Sequence, residues 1–537
     1  MKKLIALSLA VAMMLALAAC GGDVAQDGVE GKPQVEKKDE FFESVPRDNV
    51  PEGKAVPNDA VLDVIIASHP SWAYDENWKV WEYIKEGVGG QINVTAIPSS
   101  DFGTKFPLLM ADKEAMPNVF GFQGKPSGFA DYCAQGAFVS LEFCEDFMPN
   151  YKAFWESKPE EDQWLKEARR SADGLIYAAP SYGMDRYTNV RCWLYRKDIF
   201  EKNNIKTPET MDDLYKAAKK LKAIYPDSYP IAMRSGLGNI NVIGCSWKPN
   251  FHYGVYYDYD SAEWCYGATE DVMYDIVEYL NKLVKEGLIP ANFTTIQTSE
   301  WEELVTTNRG FILPAEYQIR IDYFNQPARL SNPEFTLAGM TPPHADNGVG
   351  VPKVNKYNYE VGFVSICNKG DAQTIANAAR YVDWFYSDEG IELVSWGKEG
   401  ETFEWVNKDA GERRYILEDG ESVEGKYGFK TIGSYRCVTP DCITAAISKE
   451  QADTTDFLLD CTYENLDPGL FMELSAEDAN KVSELTTSID TVVQEGLTKF
   501  ITGQRSLKEW DAFQQELEAL PIKEVLEIYD ATYSKYQ

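Results

Sequence analysis

The chain has 537 residues, 44% of them hydrophobic and 26% charged, a balance that suits folded globular domains and excludes a disordered or fibrous protein. Its formal net charge of −33 argues against nucleic acid, polyanionic ligands and anionic bilayers as partners held by charge. The length is enough for two or more domains with cores of their own.

The first 19 residues differ from the rest. Lys2 and Lys3 form a basic start, and Leu4 to Leu17 form an apolar stretch too short to cross a bilayer comfortably. It ends in Leu17-Ala18-Ala19-Cys20 followed by Gly21-Gly22, an arrangement that resembles a bacterial lipobox. Residues 1–19 are expected to be a signal peptide, and Cys20 to carry a lipid on the outer side of the cell membrane. Residues 20–57, rich in Gly, Asp, Glu, Lys and Pro, read as a flexible tether. The other nine cysteines are an odd number and cannot all pair; Cys437–Cys442 and Cys133–Cys144 are the nearest spacings for a disulfide.

The body alternates strands and helices. Val61–Ala67 is a β-branched run, Trp78–Ile84 has helical spacing, Ile92–Ala96 is a strand, Phe106–Asp112 a helix and Asn118–Phe122 a further strand. This order predicts βαβ units and a mostly parallel sheet. A second set opens with the strand Arg191–Tyr195 and a helix over 210–225. A helix over 271–286, a strand at Val361–Cys367, a helix at Ala372–Tyr386 and a mainly helical tail from Leu485 follow.

Three stretches carry a family resemblance. The first is Asp173-Gly174-Leu175-Ile176-Tyr177-Ala178-Ala179-Pro180, with Tyr195-Arg196-Lys197-Asp198 and Pro208-Glu209-Thr210-Met211-Asp212-Asp213-Leu214 after it. The second is Tyr381 to Gly390, then Trp396-Gly397-Lys398-Glu399-Gly400-Glu401-Thr402-Phe403. The third is Phe500-Ile501-Thr502-Gly503 with Leu507 and Trp510. In order and spacing they resemble the solute-binding proteins of carbohydrate ABC importers, family 1 type, in particular the long lipoprotein branch of Gram-positive bacteria.

That resemblance implies an α/β fold of the periplasmic-binding-protein kind: two α/β lobes, a hinge and a ligand cleft between them. It places residues 58–180 and 340–386 in an N-terminal lobe and residues 185–336 and 390–537 in a C-terminal one. Crossovers would follow Pro180, fall near Leu337–Pro343, and come just after Tyr386. It further implies a non-enzymatic monomer that binds an oligosaccharide and hands it to a membrane permease.

Trp, Tyr and Phe make up 13% of the chain, and aromatic rings edged by polar groups suit the C–H faces and hydroxyl rims of sugars. Aromatics on loops are the best candidates, since no core obliges them to be there. The candidate ligand-binding residues are Trp72, Tyr182, Arg186, Trp247, Tyr253, Tyr317, Trp396 and Glu399. Trp81, Trp193 and Trp384 lie in regular elements and read as core; His69 and His344 read as structural.

Gly420 to Lys426 has the spacing of a phosphate loop, but Tyr427 stands where Ser or Thr is needed and the surroundings are acidic. Asp258-Tyr259-Asp260 begins like a calcium loop and then lacks its glycine. Many long relatives carry a calcium segment after the helix at 210–225; here Tyr225 to Pro230 offers a single acid. No metal or cofactor is expected. The competing functions are a surface glycoside hydrolase, which needs two carboxylates about a scissile bond, and a peptide-binding lipoprotein.

Overall fold

The computed structural model describes residues 33–534 except 70–71, 123–128, 168, 172, 184–190, 235, 346–353, 356–362, 419–420, 432, 460–461, 464–471 and 473. The signal segment, Cys20 and Arg186 lie outside the described residues.

Two sheets organise the chain. In the first, β1 (Val61–Ser68) pairs in parallel with β2 (Gln91–Pro98) and β3 (Val119–Phe122). The short β4 (Phe138–Val139) lies at its edge. The second is built on β5 (Arg191–Arg196), which has antiparallel neighbours on both sides. Between them in sequence comes a hairpin of β6 (Val255–Asp258) and β7 (Glu263–Tyr266). The neighbours of β5 are β8 (Ile312–Tyr317) and β9 (Leu337–Met340). After β10 (Val354–Asn355) the chain returns to the first sheet as β11 (Phe363–Cys367), antiparallel to β3 and β4. A second hairpin, β12 (Phe403–Asn407) and β13 (Glu412–Tyr415), and β14 (Thr462–Tyr463), paired with β10, complete the strands of the described residues.

The parallel sheet expected from βαβ order is found in the first lobe alone. In the second, β5 arrives from the other lobe and is flanked by strands that run toward that lobe, so both of its pairings are antiparallel. The helices follow the expected apolar spacing. Met211–Ile224 buries Met211, Leu214, Ala217, Ala218 and Leu221 on one face, and the Thr210 side chain caps it by accepting the Asp213 N–H.

The cores divide the chain differently from expectation at two places. Residues 33–57 do not all behave as a tether, because Phe42, Val45 and Val56 are buried in the first core. The Phe42 ring lies 5.2 Å from Phe143 and 4.9 Å from Phe147, and Arg380 Nη2 donates to the Pro46 carbonyl at 2.7 Å. The Phe41-Phe42 pair supplies the apolar area that docks this stretch. Val394, Val423, Tyr435 and Ile443, with other apolar side chains between them, also pack in the first core, not in the second lobe. The large ones (Trp396, Phe403, Tyr415, Phe429) fill that core beside helix Ala372–Trp384.

The third crossover therefore lies after Ile443 and not after Tyr386. There the Ser448 N–H donates to Asp322 Oδ2 at 2.8 Å, and helix Lys449–Leu459 lies on the second lobe, with Glu450 paired to Arg329 at 2.8 Å. The second crossover also comes later than expected, since Ala345 is still held in the second core by the Ser246 carbonyl at 2.7 Å. The described cysteines form no disulfide with one another; neither Cys437–Cys442 nor Cys133–Cys144 is joined. No helix among the described residues is long and apolar enough to cross a membrane.

Candidate functional site: the interlobe cleft

Strand direction fixes where the lobes face each other. The carboxyl ends of β1 to β3 share an edge with the start of β11, because Phe122 pairs with Phe363. In the second lobe the start of β5 shares an edge with the ends of β8 and β9, through Arg191–Tyr317 and Trp193–Met340. The chain leaves and enters each lobe at these edges. Carboxyl ends of parallel strands, next to an interdomain crossing, are where α/β proteins hold small ligands.

The crossing itself is a narrow bundle. Ala179 N–H donates to the Val364 carbonyl at 2.7 Å, and Tyr182 N–H to the Arg436 carbonyl at 3.0 Å. Tyr182 is half-buried here, its hydroxyl donating to Asp162 Oδ2 at 2.7 Å and its ring 4.4 Å from the Lys158 ammonium. Gly183 follows at φ +91°, where a Cβ would stand 2.1 Å from the Val438 carbonyl oxygen. Only glycine permits that approach.

On the first lobe Trp72 lies beyond the end of β1, stacked on His69 with ring centroids 4.7 Å apart. It packs over Gly425, in the helix Val423–Tyr427. Burial pushes the His69 imidazole below its ordinary pKa, and the neighbouring Glu424 carboxylate opposes this in part. Glu424 is itself held by Lys430 at 2.8 Å. The stacked imidazole and indole form a partly exposed aromatic wall.

On the second lobe β8 carries a bulge. Cys192 faces Glu316 and Leu194 faces Leu313, so Pro314 and Ala315 together oppose Trp193. Ala315 adopts φ 60°, a conformation that costs a non-glycine residue about 1–2 kcal/mol. The bulge aims the buried Glu316 at two arginines. Arg234 grips it with both nitrogens, at 2.7 and 2.8 Å, and Arg320 lies 3.6 Å away. Both guanidiniums lie over Trp301, at 4.2 and 5.6 Å. Tyr317 follows at the strand end, partly exposed.

The structure leaves Trp72, Tyr182 and Tyr317 partly exposed, beyond the end of β1, at the first crossing and at the end of β8 respectively. It places the other described candidates elsewhere. Trp396 is 1% exposed and stacks on Tyr415 at 4.7 Å with Arg413 against its ring, which makes it a core residue. Glu399 is exposed and pairs with Lys408 at 3.5 Å in a surface turn. Trp247 is buried in the second core, edge-on to Tyr279, beside an open groove along helix Val272–Lys285. Tyr253 is half-buried against that core, stacked on His252. The sequence marked Glu316 only as the neighbour of Tyr317 and did not point to Arg234 or Arg320.

The two sheets, the triple crossing and the facing polar and aromatic edges define a two-lobed binding protein of the periplasmic type. The chain belongs to the family of bacterial extracellular solute-binding proteins, whose model matches residues 73–392. That is a family of binding proteins and not of enzymes. Among curated proteins, lipoprotein LipO of Bacillus subtilis is 26% identical over 248 residues, 43% of this chain and 45% of that protein, so the match spans less than half of the relative. Among solved structures, an alginate-binding protein solved without calcium ion superposes with a TM-score of 0.70 at 20% identity, covering 90% of this chain and 99% of the other. A Bifidobacterium longum infantis solute-binding protein described as HMO-binding gives 0.70 at 17% identity, with 89% and 99% covered. An S. pneumoniae substrate-binding protein in complex with kestose gives 0.68 at 18% identity, again with 89% and 99% covered. At these identities the likeness is one of fold.

Proposed function

We propose that this chain is the substrate-binding lipoprotein of an ABC importer, a monomer that captures an oligosaccharide between its lobes and delivers it to a membrane permease. The observation that carries the reading is the cleft's composition: a Trp72–His69 stack on one edge, and on the other Tyr317 beside the Arg234–Glu316 pair. Aromatic faces bordered by fixed hydrogen-bonding groups match the alternating C–H and hydroxyl surfaces of a sugar. The glycans named for three structural relatives, alginate, HMO and kestose, support the same class.

Trp72, Tyr182 and Tyr317 are the proposed contacts, with Arg186 added from the sequence alone. Hinge closure about the three crossings would bring the two edges together. The anchor rests on the lipobox at Cys20 and agrees with the lipoprotein relative. A thermal-shift screen of the mature protein against neutral and acidic oligosaccharides and against peptides tests the reading. Stabilisation by a glycan is the expected outcome. Stabilisation by peptides alone would overturn it.

A further inference from the structure

Resting on the carbohydrate reading above, the geometry points to Tyr323, rimmed by Arg320 and Glu302, as a second-lobe subsite that takes a neutral sugar ring. Tyr323 is 50% exposed, the most exposed aromatic among the described residues. It belongs to the first turn of helix Arg320–Arg329, which starts directly after the cleft end of β8. Its neighbour Asp322 receives the Ser448 N–H at 2.8 Å, so this turn also borders the third crossing. The ring therefore stands on the second lobe, close in sequence to the cleft end of β8 and to the residue that meets Ser448.

The ring is held on one face by a guanidinium, at its edge by a phenyl ring and at its hydroxyl by a carboxylate, which leaves the other face for a ligand. Its hydroxyl donates to Glu302 Oε1 at 2.8 Å, the Arg320 guanidinium lies 4.7 Å from its centroid, and Phe324 meets it edge-on at 5.2 Å. A tyrosine held at three points loses little freedom when a sugar stacks on it, and the Arg320 and Glu302 groups offer a donor and an acceptor to ring hydroxyls.

Charge selects the sugar class. Arg234 and Arg320 bring two positive charges, and Glu316 and Glu302 two negative ones, each acid already facing a guanidinium: Arg234–Glu316 at 2.7 Å and Arg320–Glu302 at 3.6 Å. The two cations and two carboxylates balance, so a uronate meets as much repulsion as attraction here, whereas a neutral ring displaces only water. The chain's net charge of −33 acts in the same direction.

The test is calorimetry on the mature protein with neutral gluco-, fructo- and manno-oligosaccharides, and with alginate and galacturonate oligomers. Wild type should prefer neutral glycans. Tyr323→Ala should weaken the best of them at least about tenfold, with the ligand-free melting point unchanged, and Tyr323→Phe should stay within about threefold of wild type. If wild type binds neutral glycans and Tyr323→Ala binds them equally well, the subsite is wrong and the carbohydrate reading stands. If uronates bind best, the charge argument fails alone. If no glycan binds, both fall.

Discussion

The carbonyl of Tyr182 accepts the N–H of Val438 at 3.1 Å, which zips the segment leaving the first lobe to a segment that enters the sequence some 250 residues later. With Tyr182 N–H on the Arg436 carbonyl, this makes a two-bond ladder at the base of the hinge. The ladder ties together two segments of the first lobe beside the first crossing, and Gly183 lets them approach.

Gly183→Ala should therefore disturb the hinge base. Its φ of +91° and the 2.1 Å approach of a Cβ to the Val438 oxygen both oppose a side chain, and a loss of about 2–4 kcal/mol is expected in urea denaturation. Gly174 has a φ of +80° but open space around it, so Gly174→Ala should cost only about 1 kcal/mol. Equal losses in the two variants would show that the contact with Val438 is unimportant.

Trp396 and Trp72 should separate core from site. Trp396→Ala empties a fully buried position against Tyr415 and should cost about 3–5 kcal/mol of stability. Trp72→Ala should cost about 1–2 kcal/mol, since the ring is only partly buried, but weaken glycan binding about tenfold or more. The two readouts, melting and calorimetry, should rank the variants in opposite order.

Asp383 should give the first lobe a pH signature. Its carboxylate accepts the Tyr151 N–H at 2.7 Å and Asn150 Nδ2 at 2.8 Å at the start of helix Pro149–Glu156, yet burial outweighs these bonds and raises its pKa to about 6. The folded state then binds this proton more tightly than the unfolded chain does. The contribution is fully present below about pH 4 and is lost as pH rises through about 6, with an upper bound of about 3 kcal/mol. Wild type should gain stability relative to Asp383→Asn as pH falls from 6 to 4. A constant difference across that window would contradict the assignment.

Stability should not depend on calcium at the loop Tyr225–Pro230. Lys222 Nζ donates to the Ser228 carbonyl at 2.6 Å, and Ser228 N–H and Oγ both donate to the Tyr225 carbonyl, at 3.0 and 2.6 Å. An ammonium thus occupies the polar side of a loop with one carboxylate, Asp227. Chelator or added calcium should leave the melting temperature within about 1 °C, whereas Lys222→Ala should lower it. A rise on adding calcium would overturn this account.

The sequence was most readable where local pattern and packing coincide. The runs at 61–67, 92–96 and 118–122 become β1 to β3, and the periodic stretches at 210–225 and 271–286 become helices bounded within about a residue of expectation. Long-range docking was not readable. Nothing local tells that Phe42 reaches Phe143, or that Trp396 and Tyr415 return to the first core after helix Ala372–Trp384. The second-lobe cluster was hidden for a related reason. Arg234 and Glu316 are 82 residues apart, and the bulge that joins them uses Ala315 at φ 60° where a glycine would have been a visible sign. Tyr323 carries no motif, and only its exposure on the helix surface marks it.

Small-angle scattering of the mature protein, with and without a glycan shown by calorimetry to saturate it, tests capture between the lobes most directly. Closure about the crossings, which lie next to Tyr182, Ala345 and Ser448, should reduce the radius of gyration on binding. An unchanged scattering curve at full saturation would place the sugar outside the cleft and contradict the account.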